Sequence, residues 1–165
     1  MFLALQVVTV LVVAIAMALV LAHALELPGK MRLSKEEYLA VQPIYYPGFT
    51  FGGIAEPLGI FLLLILVYLT PARTLEFWMV AASLAALICQ HAAYWLLTHP
   101  INNFWLKDFK MGHAGTGFFS FGTGGRSVPA ELDWTRLRDW WEYSHVVRAG
   151  FGILSFALLV AAVAL

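Results

Sequence analysis

Four apolar stretches alternate with polar ones along the chain. Residues 2–25, 53–70, 75–98 and 143–165 each hold an apolar run with few charges. A helix that crosses the hydrocarbon core of a bilayer needs about 20 such residues. Residues 71–74, "PART", leave room only for a tight turn between the second and third stretches. Pro71 cannot continue the helix before it, and Thr74 is placed to cap the one after it. Within the first polar interval, "SKEEYLAVQ" (34–42) opens with Ser34 and Glu37 at capping-box spacing, which predicts a short helix ending before Pro43. "YYPGF" (45–49) and "WTRLRDWW" (134–141) are rich in aromatic residues and suit a headgroup layer. The glycine-dense "GHAGTGFFSFGTGGR" (112–126) has neither a preceding strand nor a closing GK[ST], so it reads as a flexible flap, not a phosphate loop. No internal repeat or second domain is visible. The expected fold is all-α, a single integral-membrane four-helix bundle over residues 1–165.

Composition supports that reading and fixes an orientation. Hydrophobic residues make up 61% of the chain and charged residues 12%; formal net charge is zero, and mean hydropathy is +0.80. This is a membrane composition with no basic excess to attract nucleic acid. The single cysteine, Cys89, lies inside an apolar stretch, so one chain can form neither a disulfide nor a cysteine zinc site. "AHA" at 22–24 resembles a signal-cleavage site. No Lys or Arg precedes it and the apolar run is long for a signal core, so the first stretch is expected to remain as a helix. Lys30, Arg32 and Lys35 fall in the first loop. Lys107, Lys110, Arg126, Arg136 and Arg138 fall in the third, and Arg73 alone faces the other side. The positive-inside rule then places loops one and three in the cytoplasm and both termini outside, as in a bacterial inner membrane.

With that topology, every helix carries ionisable groups at its cytoplasmic end. The first ends with His23 and Glu26, and the second begins with Glu56. On the third, His91, Tyr94, Trp95, Thr98 and Asn102 share one stripe if the helix continues past Pro100. The fourth begins with Glu142, His145 and Arg148, spaced three apart. The outer ends carry little beyond Arg73 and Glu76, which gives no polar path across the membrane and argues against a transporter.

Three chemistries fit such a convergence. Imidazole and carboxylate can hold zinc, iron, manganese or copper. Glu142–His145 has the Glu-x-x-His spacing of di-iron helical bundles, and His23–Glu26 has it reversed; with Glu56 and His91 these would be the ligand set. Alternatively, a histidine works as acid or base without metal while Arg148 holds an anionic or enolate oxygen. Tyr94, Trp95, Phe104 and Trp105 would then enclose a flat lipophilic substrate delivered from the bilayer. In the third, a His/Glu/Arg hydrogen-bond network only fixes helix register. Arg148 needs a carboxylate at its depth; Glu26 is the expected partner and Glu56 the second choice. Membrane lipid and a lipophilic small molecule are the expected partners, and an oligomer is left open.

Three short pieces also bear a family resemblance. "LELPGK" carries Glu26 and Pro28 as Glu-x-Pro. "HPINNFWL" carries Pro100 and Asn102 as Pro-x-Asn. "WEYSHVVRAG" carries Trp141, His145 and Arg148 as Trp-x3-His-x2-Arg. In order and position the chain resembles the anthrone-oxygenase-like family of small four-span membrane proteins, many of which are a domain of unknown function. Fungal relatives oxidise anthrones to anthraquinones with dioxygen and no conventional cofactor. The resemblance implies a membrane oxygenase acting on an aromatic or quinone-like substrate, with His145, Arg148, Asn102 and Glu26 at the reaction. Glu142, His23, Glu56 and His91 lie outside that signature and keep an added metal open. A metal- or small-molecule-binding protein without catalysis, or a structural accessory subunit, are the alternatives.

Overall fold

The computed structural model describes residues 2–105 and 133–165, and only the backbone of residues 103–105. Lys107, Lys110, Arg126, the segment 112–126 and the side chains of Phe104 and Trp105 therefore lie outside the described residues. The described chain is all-α. Helix α1 spans Phe2–Lys30, α2 Lys35–Val41, α3 Gly48–Gly52, α4 Ala55–Leu69, α5 Leu75–Ala93, α6 His99–Trp105 and α7 Trp134–Ala164. Four helical stretches are long and apolar enough to cross a membrane: Phe2–Lys30, Gly48–Leu69, Leu75–Asn102 and Trp134–Ala164.

Local chemistry sets most boundaries where the sequence puts them. Ser34 and Glu37 form the reciprocal capping box at α2. The Thr74 hydroxyl accepts from the Phe77 N–H at the start of α5. Two helices run further than expected. α1 continues through Pro28 to Lys30; a proline in a last turn forfeits one hydrogen bond, and the cation at the C-terminus suits the helix dipole. α7 begins at Trp134 rather than Tyr143, because Asp133 caps it through the Thr135 N–H.

Pro100 does not end the third stretch. Between α5 and α6 the helix widens into a π turn over Tyr94–Thr98, closed by the His99 N–H on the Tyr94 carbonyl. Widening the turn accommodates the ring, which would otherwise strike a carbonyl one turn back. Thr98 Oγ1 and Ser144 Oγ, 2.8 Å apart, tie this turn to α7.

The long helices form a four-membered ring in which α1 and α5 each pack against both α4 and α7. Phe2, Thr70, Thr74 and Leu165 line one small hollow, so both termini and the α4–α5 turn share one end. Between helices this apolar, small residues at crossings and buried hydroxyl pairs favour association. Here the Ser83 and Ser155 hydroxyls donate to each other's carbonyls, each at 2.9 Å, and so join α5 to α7. Val13, Leu63, Leu66, Val80, Leu87 and Leu159 fill the centre. At the opposite end, Tyr38 of α2 packs with Ile101, Leu137 and Trp141 in a second, smaller core.

Candidate functional site

A cavity of about 500 Å³ opens among α1, α3, α4, the π turn and α7, in the half of the bundle that carries the second core. That volume suits a small organic ligand. His91, Tyr94, Trp95, Thr98 and Asn102 all line it, as their spacing through Pro100 predicts. His23, Glu56, His145 and Arg148 line it from the other helices, with Tyr45, Phe49 and Trp141 adding aromatic faces. Glu26 and Glu142 do not reach the cavity.

Glu56, at the start of α4, is buried, 4% exposed. One carboxylate oxygen accepts from Arg148 Nη2 at 2.5 Å and from Gln90 Nε2 at 2.9 Å. The other accepts from His91 Nδ1 at 3.0 Å, while His91 Nε2 accepts from the Trp95 indole N–H at 3.0 Å. This pattern places the His91 proton on Nδ1 and occupies both ring nitrogens. The guanidinium of Arg148 lies 5.0 Å from the centre of the Tyr94 ring. Its Nε is buried without a hydrogen-bond partner among the described residues. The expected Arg148–Glu26 pair is therefore corrected: Arg148 takes Glu56, the second choice.

Glu26 belongs to another network, nearer the end of the bundle. Its Oε2 accepts from the Tyr45 hydroxyl and lies 3.0 Å from Lys30 Nζ. Lys30, 5% exposed, also sits 3.4 Å from Glu142 Oε1 and faces the Tyr45 and Trp141 rings at 4.6 and 5.0 Å. The Tyr38 hydroxyl donates to the same Glu142 oxygen at 2.8 Å. Burial pushes the Tyr38 hydroxyl well above the ordinary tyrosine range, and the Glu142 carboxylate pushes it further. Tyr45 is raised in the same way, by burial and then by its bond to Glu26.

Between the two networks stand His23 and His145, with ring centres 4.3 Å apart. Trp141 packs on both, 5.3 Å from His23 and 4.1 Å from His145. Asn102 fixes that indole by accepting its N–H at 2.8 Å. His145 Nδ1 lies 2.8 Å from the Trp141 carbonyl, which can only accept. The ring proton therefore sits on Nδ1, and Nε2 keeps a lone pair.

These placements divide the metal set. His91 and Glu56 are committed to each other, and Glu26 and Glu142 surround an ammonium group. That leaves His23 and His145 as a pair. Among the described residues no three His, Cys, Asp or Glu side chains are positioned to hold one ion. Four residues of the networks escaped the sequence reading. Lys30 was marked by its i,i+4 spacing from Glu26 and Gln90 by its place beside His91. Tyr38 and Tyr45 had no signal beyond being aromatic residues in a polar loop.

The chain matches no protein-family model, no curated protein and no solved structure. The family resemblance thus rests on its three motifs, now located in space. Asn102, Trp141, His145 and Arg148 line the cavity together, and Glu26 stands outside it.

Proposed function

We propose that this chain is a multi-pass membrane protein whose cavity binds a flat, lipophilic molecule bearing a carbonyl or phenol, and acts on it as an oxygenase-like oxidoreductase. The cavity end faces the cytoplasm and both termini lie outside. The observation that carries the reading is one helical turn of α7. His145, with a bare Nε2, and Arg148, held by Glu56, share one wall of an aromatic-lined cavity.

In this reading His145 Nε2 removes a proton from a methylene conjugated through the aromatic rings with a carbonyl. Arg148 faces the oxygen that gains the charge, the task to which a buried guanidinium is suited. Glu56, Gln90 and His91 hold Arg148 in place without touching substrate. Trp141, fixed by Asn102, orients His145. The electron-rich enolate is the species that dioxygen oxidises. In the reaction the resemblance implies, a methylene loses two hydrogens and gains one oxygen, and the second oxygen atom leaves as water. A non-catalytic binding protein is the second reading, favoured by the carboxylate of Glu56, which is already saturated by protein donors.

Oxygen uptake by the protein in lipid nanodiscs, with anthrone as substrate and 1,4-naphthoquinone as a tryptophan-quenching probe, separates the two. Saturable quenching is expected, and His145→Gln should lower oxygen uptake by about 10²–10⁴-fold while changing naphthoquinone binding little. Saturable binding with no uptake in the parent protein would leave the second reading standing, and no saturable binding would remove both.

A further inference from the structure

The cavity wall is uneven. Toward the end of the bundle it is closed by Trp141, and behind that ring, 5.0 Å from its centre, Lys30 is clamped between Glu26 and Glu142. Beyond them lies the second core, where Tyr38 is fully buried. On the side, at the junction of α3 and α4, cavity-lining residues also face outward. Phe51 is 57% exposed and Ile54 61%. A residue that both lines a cavity and faces outward marks its mouth, and this mouth is apolar.

The junction is built to give. α3 has five residues and no side-chain cap at its start. It lies against α1, where a Cβ at Gly52 would come within 2.6 Å of Leu19 Cδ1 and push that side chain aside. Gly53 follows, so α3 ends on one glycine and a second separates it from Ile54 and the start of α4. The depth is also defined. Trp140 and Tyr143 are exposed on α7, where aromatic side chains settle at a membrane interface. Arg148, on the cavity wall, lies about 7–12 Å below them at 1.5 Å per residue. The mouth therefore opens at the edge of the hydrocarbon layer.

We infer that the cavity is loaded sideways from the bilayer, between α1 and the α3–α4 junction, with Leu19 and Phe51 as the gate. Its ligand is a molecule dissolved in lipid and not in the aqueous phase. The inference rests on the cavity being a binding site, but its test needs neither the natural ligand nor turnover.

The test places Thr98→Cys, on the far wall of the cavity, in a Cys89→Ser protein held in phosphatidylcholine nanodiscs. Two thiol reagents are compared, pyrene maleimide dissolved in the lipid and a sulfonated methanethiosulfonate in the water. The lipid-borne reagent should react faster. Phe51→Ala should accelerate it severalfold, Leu19→Trp should slow it severalfold, and Phe61→Ala on the outer face of α4 should leave it unchanged. The aqueous reagent should be slow in all of them. Because Phe51 is exposed, its alanine variant decides the matter even if Leu19→Trp does not fold. Faster reaction from water, no response to Phe51→Ala, or no labelling from either phase would each overturn sideways loading. A gated response without naphthoquinone binding would keep the entry route and remove the proposed chemistry.

Discussion

Glu56 is a carboxylate that the surrounding helices could not leave alone. It is buried, and it accepts from Arg148, Gln90 and His91, so one residue joins α4, α5 and α7. Removing one partner of a buried ion pair costs about 3–5 kcal/mol, because the other charge stays buried and uncompensated. Arg148→Leu should therefore lower the thermal unfolding temperature strongly, and Glu56→Gln should do so less, since the amide keeps part of the hydrogen bonding. The double variant should lose less than the two losses added. Arg148→Leu and Glu26→Gln should simply add, because these residues sit in separate networks. A thermal-unfolding cycle in detergent that couples Arg148 to Glu26 and not to Glu56 would reverse the assignment. The sequence read Arg148 as needing a carboxylate and named both candidates, yet ranked them wrongly. The reason is depth. With a helix starting near Tyr143, Arg148 sits close to the mouth, level with Glu26. With the helix starting at Trp134, it lies about 21 Å along the axis, level with the start of α4.

The caps explain which boundaries could be read. Ser34 with Glu37, Thr74, and Pro71 act through neighbours three or fewer residues away, so the sequence contains the whole argument. The start of α7 depends on Asp133, which follows residues whose sequence pattern is not helical. The continuation past Pro100 depends on a π turn that Thr98 and Ser144 anchor across two helices. The stripe from His91 to Asn102 could be read because it needs only helical spacing. Lys30 could not be placed between its two carboxylates, because that takes the approach of α1 to α7. That approach can be tested. A Cβ on Gly152 would lie 2.6 Å from Gln90 Oε1 and 3.3 Å from the Met17 backbone. At Gly150, on the same helix, it would meet nothing within 4 Å. Replacing glycine with alanine inside a helix gains roughly 1 kcal/mol in propensity, while overpacking costs about 1–3 kcal/mol. Gly150→Ala should hold or raise the unfolding temperature, and Gly152→Ala should lower it. Equal shifts in the two variants would mean that α1 and α7 do not meet as closely as described.

At the scale of the molecule, two aromatic levels bracket the bundle. Tyr68 and Trp78 are exposed at the end that holds the termini, and Trp140 and Tyr143 are exposed at the cavity end. From Tyr143 to the end of α7 is about 33 Å at 1.5 Å per residue, close to the roughly 30 Å of a hydrocarbon core. The bundle is thus as tall as the layer it would cross, and α2 with the first turns of α7 would stand beyond it. Charge chooses between the two ways of inserting this cylinder. Among the described residues, Lys30, Arg32, Lys35, Arg136 and Arg138 lie at the cavity end, against Arg73 alone at the other. The proposed orientation, with the cavity end in the cytoplasm and the α4–α5 turn outside, follows the rule that basic residues near helix ends are retained in the cytoplasm. Lys35 and Ala72 are exposed and lie at opposite ends. In a Cys89→Ser background, a membrane-impermeant maleimide added to intact cells should label Ala72→Cys and spare Lys35→Cys until the membrane is opened. Labelling of Lys35→Cys in intact cells, with Ala72→Cys protected, would turn the molecule over and place the cavity on the outer side.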